Sequence, residues 1–336
     1  MHYGIIHSNN SNLILSSSLP FINHDKLPKR FTLINEGDLI LADTSEDRKD
    51  AAKGIEIINQ SNAHILSGLH TLHLREKAPC TIPGFKTYYV ASKSFRNFAR
   101  KYCEGIKVFS IKQSLLKYTH FAYPQNKNEQ FMIVDFLNKI EDKKAILEKK
   151  INILKKYKEG FTKRLTKVLN TNKIALSNIC SITTGKIDAN AMNPQGKYKF
   201  FTCSREDYFI DTYAFDCEAL LVSGNGEVGL TKYYNGKFNA YQRTYVLYNL
   251  KKNAKFIKLF IDLQINTIIR KETNKGAMPY IRLTTFNKIM IPNIDPSLEY
   301  LISIAIDKID KKIELLQNHA RVLNNIKNNL LDSLFI

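Results

Sequence analysis

A segment that occurs twice, at a fixed distance, constrains this chain more than any other feature. Residues 138–165 match residues 307–334 at an offset of about 169, and the apolar positions agree one for one. Ile140, Leu147, Leu154 and Phe161 correspond to Ile309, Leu316, Leu323 and Leu330. Each set is spaced by sevens, and a second row at Leu137, Ile151 and Leu165 is matched by Ile306, Ala320 and Leu334. With Lys, Glu and Asn on the remaining faces, this is a heptad seam held for about four heptads. Each half of the chain therefore ends in a long helix whose apolar stripe needs a partner. The simplest partner is the other copy, packed antiparallel along the same seam. A helix of roughly 30 residues spans about 45 Å at 1.5 Å per residue.

Upstream the correspondence continues more weakly, as small loop insertions would produce. Phe85 falls on Phe256, Gly105 on Gly276, Ile111 on Ile281 and Pro124 on Pro292. Each half reads as mixed strands, a helix (about 86–103 and 255–272), a glycine-containing turn, a strand, a proline-marked loop and the long helix. The expected fold class is α+β with a pseudo-twofold internal repeat. The expected division is a first globular domain at 1–134, a long helix at 135–170, a second globular domain at 171–302 and a second long helix at 303–336. The second domain opens with 173–185, whose apolar residues look like an entry strand, and the first half has no convincing equivalent, so the first domain is expected to be N-terminally clipped, recombined or alternatively started.

Charge narrows the partner. Lys plus Arg number 50 against 31 Asp plus Glu, a formal charge of +19, on a chain that is 44% hydrophobic and 11% aromatic. Such an excess on a folded protein points to a polyanion. No apolar run approaches the roughly 20 residues of a membrane-crossing helix, and the opening Met1-His2-Tyr3-Gly4 is not read as a signal peptide. The five cysteines are scattered without a CxxC pair, as expected of a reduced, cytoplasmic chain with no cysteine-based zinc site.

No catalytic signature stands in the sequence. Gly224-Asn225-Gly226-Glu227-Val228-Gly229 fits GxGxxG after a plausible strand at 218–222, but a dinucleotide site needs a helix directly afterwards. The following residues read instead as a strand at 230–234, a hairpin turn at Asn235-Gly236 and a strand at 237–247. Asn193-Pro194-Gln195-Gly196 lacks the second proline and the aromatic residue of an amino-methyltransferase tetrad and reads as a turn. The acidic groups at Glu141-Asp142 and Glu148 lie on solvated faces of the heptad helix, and His7, His64, His70 and His73 show no metal-ligand spacing. Neither a cofactor nor a metal is expected.

What remains are basic, amide and hydroxyl side chains clustered at strand ends. In the second half these are Ser204, Arg205, Asn225, Lys232, Lys237, Tyr241, Gln242 and Arg243; their first-half counterparts are Ser45, Arg48, Lys53 and His70. Arg, Gln and Asn form bidentate bonds to base edges, while Ser, Thr, Lys and backbone amides hold phosphates. Tyr241 and Tyr245 are expected to alternate with Gln242 and Arg243 along one strand.

The strings KYKFFTCSRE, YAFDCEALLVSGNGEVG, FNAYQRTYVL and GAMPYIRLTTFNKIMIP in the second half, with GDLILADTSEDR, SGLHTLHLR and MHYGIIH in the first, resemble the specificity subunits of Type I restriction-modification systems. The resemblance covers nearly the whole chain. It implies two target-recognition domains separated by two antiparallel coiled-coil helices and a bipartite double-stranded DNA target. It further implies two adenine methyltransferase subunits as partners, restriction subunits as further members of the complex, and no catalytic role for the chain itself. An alternative is a truncated specificity subunit that acts as scaffold or regulator, binding methyltransferase subunits and reading one half-site only.

Overall fold

The computed structural model describes all residues except 9–12, 24, 26, 28, 30, 59–62, 170–171, 273–277 and 336. Gly276, aligned above with Gly105, lies outside the described residues. The chain divides into two compact units, Met1–Lys149 with Gln317–Ile336, and Lys150–Leu316. The boundaries fall inside the two long helices rather than at their ends, because each globular part packs on the adjacent stretch of both.

Unit 1 contains α1 (Tyr3–Ser8), β1 (Leu13–Leu15), β2 (Leu39–Ala42), β3 (Thr44–Ser45), β4 (Gly54–Ile58), β5 (Thr71–Leu74), α2 (Phe85–Ala91), α3 (Lys93–Tyr102) and β6 (Phe109–Ser110), followed by the first part of α4 (Lys127–Val168). Its main sheet runs β1-β4-β2-β5, with β1 parallel to β4 and the other pairs antiparallel. Strand alternation divides the core in two. Leu39 and Leu41 face Phe85, Tyr88 and Phe95 of α2 and α3, whereas Ile40, Ala42, Ile55 and Ile57 face Met1, Ile6, Ile34 and Ile65. The single helix expected at 86–103 is two, because Ser92 takes an extended conformation and its hydroxyl accepts the Phe95 N–H to cap α3.

Unit 2 contains β7 (Lys173–Ala175), β8 (Ser181–Thr184), β9 (Tyr198–Phe201), β10 (Tyr208–Ile210), β11 (Phe215–Ser223), β12 (Thr231–Ala240), β13 (Thr244–Tyr248), α5 (Ala254–Glu272) and β14 (Met290–Pro292), with α6 (Pro296–Leu334) beginning here. Its six-stranded sheet runs β10-β9-β12-β11-β13-β8. The inner order β9-β12-β11-β13 reproduces β1-β4-β2-β5, down to the parallel first pair. The same two-faced core results. Leu220, Val222 and Leu247 pack with Phe256, Ile257 and Phe260 of α5, while Ala219, Leu221 and Val246 pack with Phe201 and Phe238. Strand β8 flanks β13, and neither it nor β10 has a counterpart among the described residues of unit 1.

The α+β class and the internal repeat hold, but two further local expectations do not. Asn235-Gly236 is no hairpin turn: β12 continues through it, with Gly236 at φ 127°, a conformation that only glycine adopts cheaply. Gln242 and Arg243 are not strand but the centre of a tight turn, closed by the Thr244 N–H donating to the Tyr241 carbonyl at 2.8 Å. The long helices do pack together. In unit 1 α4 and α6 run antiparallel, with Lys144 Nζ donating to Asn324 Oδ1 at 3.1 Å and Lys327 bonded to Glu141. In unit 2 Lys158 bonds Asp310 at 2.7 Å beside Phe161, Leu165, Ile306 and Ile309. Of the seam residues, Ile140, Leu147 and Leu316 are buried and Leu154, Phe161, Ile309, Leu323 and Leu330 half-buried. Near the end of α6 the buried stripe shifts to Leu331 and Phe335 and leaves Leu334 exposed, because a straight helix drifts against a strict heptad.

A polar network anchors α2. Lys86 bridges Glu56 at 3.3 Å and Glu76 at 2.8 Å, and Glu76 also accepts the Thr81 hydroxyl and the Cys80 and Thr81 N–H groups. Burial alone would raise the Glu76 pKa, but Lys86, Thr81 and the two amides outweigh it and hold the carboxyl at about 2. A depressed carboxylate stabilises the fold above its unfolded pKa, and that increment is lost as pH falls through the folded value. Glu76→Gln is therefore expected to cost about 1–3 kcal/mol at neutral pH, a gap that narrows as pH falls from 4.5 toward 2. Urea titrations of both proteins at several pH values check it; a gap independent of pH would show that the charge contributes nothing.

Candidate nucleic-acid interface

One hydrogen-bonded frame closes the same end of the sheet in both units. In unit 2 the residue after β11, Gly224, donates its N–H to the Arg243 carbonyl at 2.9 Å, and its carbonyl accepts the Ile281 N–H at 3.0 Å. In unit 1 the residue after β2, Asp43, donates to the His70 carbonyl at 3.2 Å and accepts the Ile111 N–H at 2.9 Å. His70 and Arg243 thus occupy equivalent places, each immediately before the next strand. Among the glycines of the GxGxxG string, Gly224 is required by this approach: a Cβ there would lie 2.6 Å from the Arg243 carbonyl. No helix follows the string, since β12 comes next, so the glycines shape a strand-to-strand loop.

In unit 2 the frame gathers several loops. The Gln242 N–H donates to the Ile187 carbonyl at 3.0 Å, the Glu227 N–H to the Cys203 carbonyl at 3.0 Å, and the Cys203 thiol to the Arg243 carbonyl at 3.3 Å. The backbone under Gln242 and Arg243 is fixed by these bonds while both side chains stand exposed. They border a shallow cleft of about 290 Å³ with Thr184, Gly224, Tyr245, Tyr280 and Ile281. Asn225 is half-buried beside it. The Arg205 side chain is 77% exposed and pairs with Glu227 at 3.0 Å, a surface contact weak enough to be exchanged for DNA.

Other expected contacts are committed to the fold. Lys232 donates to the Arg205 and Glu206 carbonyls, both at 3.0 Å, and its side chain is 19% exposed. Ser204 accepts the Glu206 N–H and shapes the same turn. Lys237 lies over the Tyr213 ring at 4.7 Å, on β12 rather than in the strand-end loops. Tyr241 is half-buried at the start of the turn and does not alternate with Gln242 and Arg243 on a strand.

In unit 1 His70 sits at φ 55°, facing Thr44 Oγ1 at 3.2 Å and Asp43 at 3.3 Å, with the Tyr3 ring edge-on at 5.4 Å. Lys53 is drawn inward to the His7 carbonyl at 3.2 Å, and burial lowers its ammonium pKa, with Asp50 opposing and Arg96 adding to the shift. Arg48 reaches the Arg100 carbonyl at 3.1 Å while remaining exposed. Ser45 is 3% exposed and accepts the Asp47 N–H, so it forms a turn and presents nothing to a ligand.

Residue chemistry alone passed over Lys186, Tyr280 and Arg282, which are exposed at this end of unit 2. The signal for Arg282 was present, since it follows Ile281, which the repeat aligns with Ile111. Among the described residues no group of three or more His, Cys, Asp or Glu is placed to hold a metal ion, and no helix is long and apolar enough to cross a membrane.

The arrangement defines a class: a duplicated α+β module on paired heptad helices, with polar and cationic side chains fixed at the same strand ends of each copy. Residues 170–325 match the Type I restriction modification DNA specificity domain family. The specificity subunit of the Type I restriction enzyme EcoDI from Escherichia coli is 37% identical over 142 residues, which is 42% of this chain and 31% of that protein. The matched segment thus spans about a third of that relative. The crystal structure of the Type I restriction-modification S subunit from M. genitalium shares the fold, with a TM-score of 0.63 and 16% identity over 98% of this chain and 89% of that one. Residues 170–325 are thus similar to the Type I restriction modification DNA specificity domain, and the fold of the chain is that of an S subunit.

Proposed function

We propose that this chain is a non-catalytic specificity subunit that reads a bipartite double-stranded DNA target and directs adenine methylation, and restriction, by partner subunits in the cytoplasm. The observation that supports it most directly is the repeated strand-end frame, which fixes Arg243 in one unit and His70 in the other at equivalent, exposed places. A net charge of +19 supplies the attraction to phosphates. Two methyltransferase subunits and restriction subunits are the proposed partners. The functional division is two recognition domains, at 1–134 and 171–302, held by helices at 135–170 and 303–336. The DNA-facing set in this reading is Arg48 and His70 in the first domain, and Arg205, Asn225, Gln242 and Arg243 in the second.

A second reading is a scaffold or regulator that binds methyltransferase subunits and reads one half-site only. It is favoured by the family match, which covers 170–325, and by strands β8 and β10, which have no counterpart among the described residues of unit 1. One experiment separates the two: co-expression with the cognate methyltransferase subunit, followed by mapping of methylated adenines across the host genome. Two short motifs at a fixed, unspecified spacing are expected. A single short motif would favour the second reading, and no sequence preference would overturn both.

A further inference from the structure

Resting on the DNA-reading function above, we propose that the residues leading into the buried isoleucine beside each sheet, 106–112 in unit 1 and 278–282 in unit 2, are a second DNA-contacting element that inserts an apolar side chain between base pairs. The two loops are tied to their sheets by the same bond, Ile111 to Asp43 in unit 1 and Ile281 to Gly224 in unit 2. Counting back three residues from each buried isoleucine gives Val108 and Met278, which are 51% and 89% exposed. Ile106, at the tip of the first loop, is 94% exposed. Counting forward one residue gives Lys112 and Arg282, both exposed cations. Lys112 makes a solvent-facing pair with Glu104, and Arg282 lies over the Tyr280 ring at 5.0 Å and donates from Nε to the Tyr280 hydroxyl at 3.0 Å, exposed contacts that a phosphate can replace.

A single exposed apolar residue on a surface carries no meaning. An exposed apolar residue paired with a cation at the same place in two copies, beside the reading cluster each time, fits a common ligand. Ile, Met and Val side chains can wedge between base steps while neighbouring cations hold phosphates, and the kink brings more of the duplex against the protein. The strand-end frame positions each loop: in unit 1 β6 pairs with β3, placing Ser110 opposite Thr44, which also touches His70. The reading residues face base edges, and the loop opens the adjacent step.

The test uses the chain assembled with its methyltransferase subunit and a duplex carrying the mapped methylated sequence, with 2-aminopurine at the steps flanking each half-site. Binding of the wild-type assembly is expected to raise fluorescence at both flanks. Met278→Ala should abolish the rise at one flank and Ile106→Ala with Val108→Ala at the other, each weakening binding about fivefold to tenfold with half-site bases unchanged. Met278→Leu should retain the rise. Arg282→Ala should lower the slope of log affinity against log salt by about one. Normal sequence preference with no rise in the wild-type assembly, or with a rise that the alanine variants keep, would overturn the wedge alone. Failure of the wild-type assembly to prefer the mapped duplex over a scrambled one would overturn the DNA-reading function as well.

Discussion

Under the proposed DNA-reading function, replacing Gln242 and Arg243 together by alanine is expected to abolish recognition of one half-site while the chain still folds and assembles with the proposed methyltransferase partner. The fold should survive because every structural bond of this turn is made by main chain. Gln242 N–H reaches Ile187, the Arg243 carbonyl accepts Gly224 N–H and the Cys203 thiol, and Thr244 N–H closes onto Tyr241. Both side chains are exposed and carry no core packing. A bidentate base contact contributes about 1–3 kcal/mol of discrimination, so losing two would lower the preference for the correct half-site by about a hundredfold or more. Methylation mapped in cells expressing the double variant checks this, and each single variant should relax different base positions. Parental sites methylated at the normal rate would reduce the pair to a turn.

The largest stability effect is expected from Phe335→Ala, a change at the end of the chain and far from the reading loops in sequence. Phe335 is 2% exposed and packs against Phe85 at 5.3 Å and Tyr89 at 6.3 Å, while Leu331 fills the same core. The last turn of α6 therefore completes the hydrophobic core of unit 1. Truncating a buried phenylalanine costs about 3–5 kcal/mol, through lost transfer energy and the cavity left behind. Denaturation followed in unit 1 should shift by that amount while unit 2, which lacks this contact, keeps its own transition. An unchanged midpoint would mean that the terminal residues do not support that core.

Much of the architecture was legible in the residues. The heptad seams at Ile140–Phe161 and Ile309–Leu330 and the weaker alignment of Ile111 with Ile281 foretold a doubled α+β fold, because both depend on periodicity and spacing, which are written along the chain. The segment proposed to read bases, 241–245, has a different shape from the strand expected of it. Tyr241–Tyr245 alternates like a strand, and nothing local shows that Thr244 N–H folds back onto Tyr241 or that β12 continues through Asn235-Gly236. Both outcomes are imposed by long-range pairing: Ala240 lies beside Phe201 and Ser223 beside Thr244 around the turn, while Asn235 and Gly236 pair with Glu218 and Cys217 of β11. Lys232 and Ser45 show what local chemistry leaves open. Each has suitable chemistry, and each is taken by the fold, one capping carbonyls of the 205–206 turn and the other buried in its own.

By itself, then, the order of residues determined the period of the helices, the duplication of the module, the excess positive charge and the kind of side chain available at strand ends. Those properties are sums or spacings over the chain, and they survive any uncertainty about contacts. The tertiary structure alone decided which cations stand free and which are consumed, that Gly224 must lack a side chain because a carbonyl passes beneath it, and that the final turn of α6 belongs to the core of the first unit. Each of these depends on atoms far apart in sequence meeting within a few ångströms, a coincidence that only the packed chain can specify.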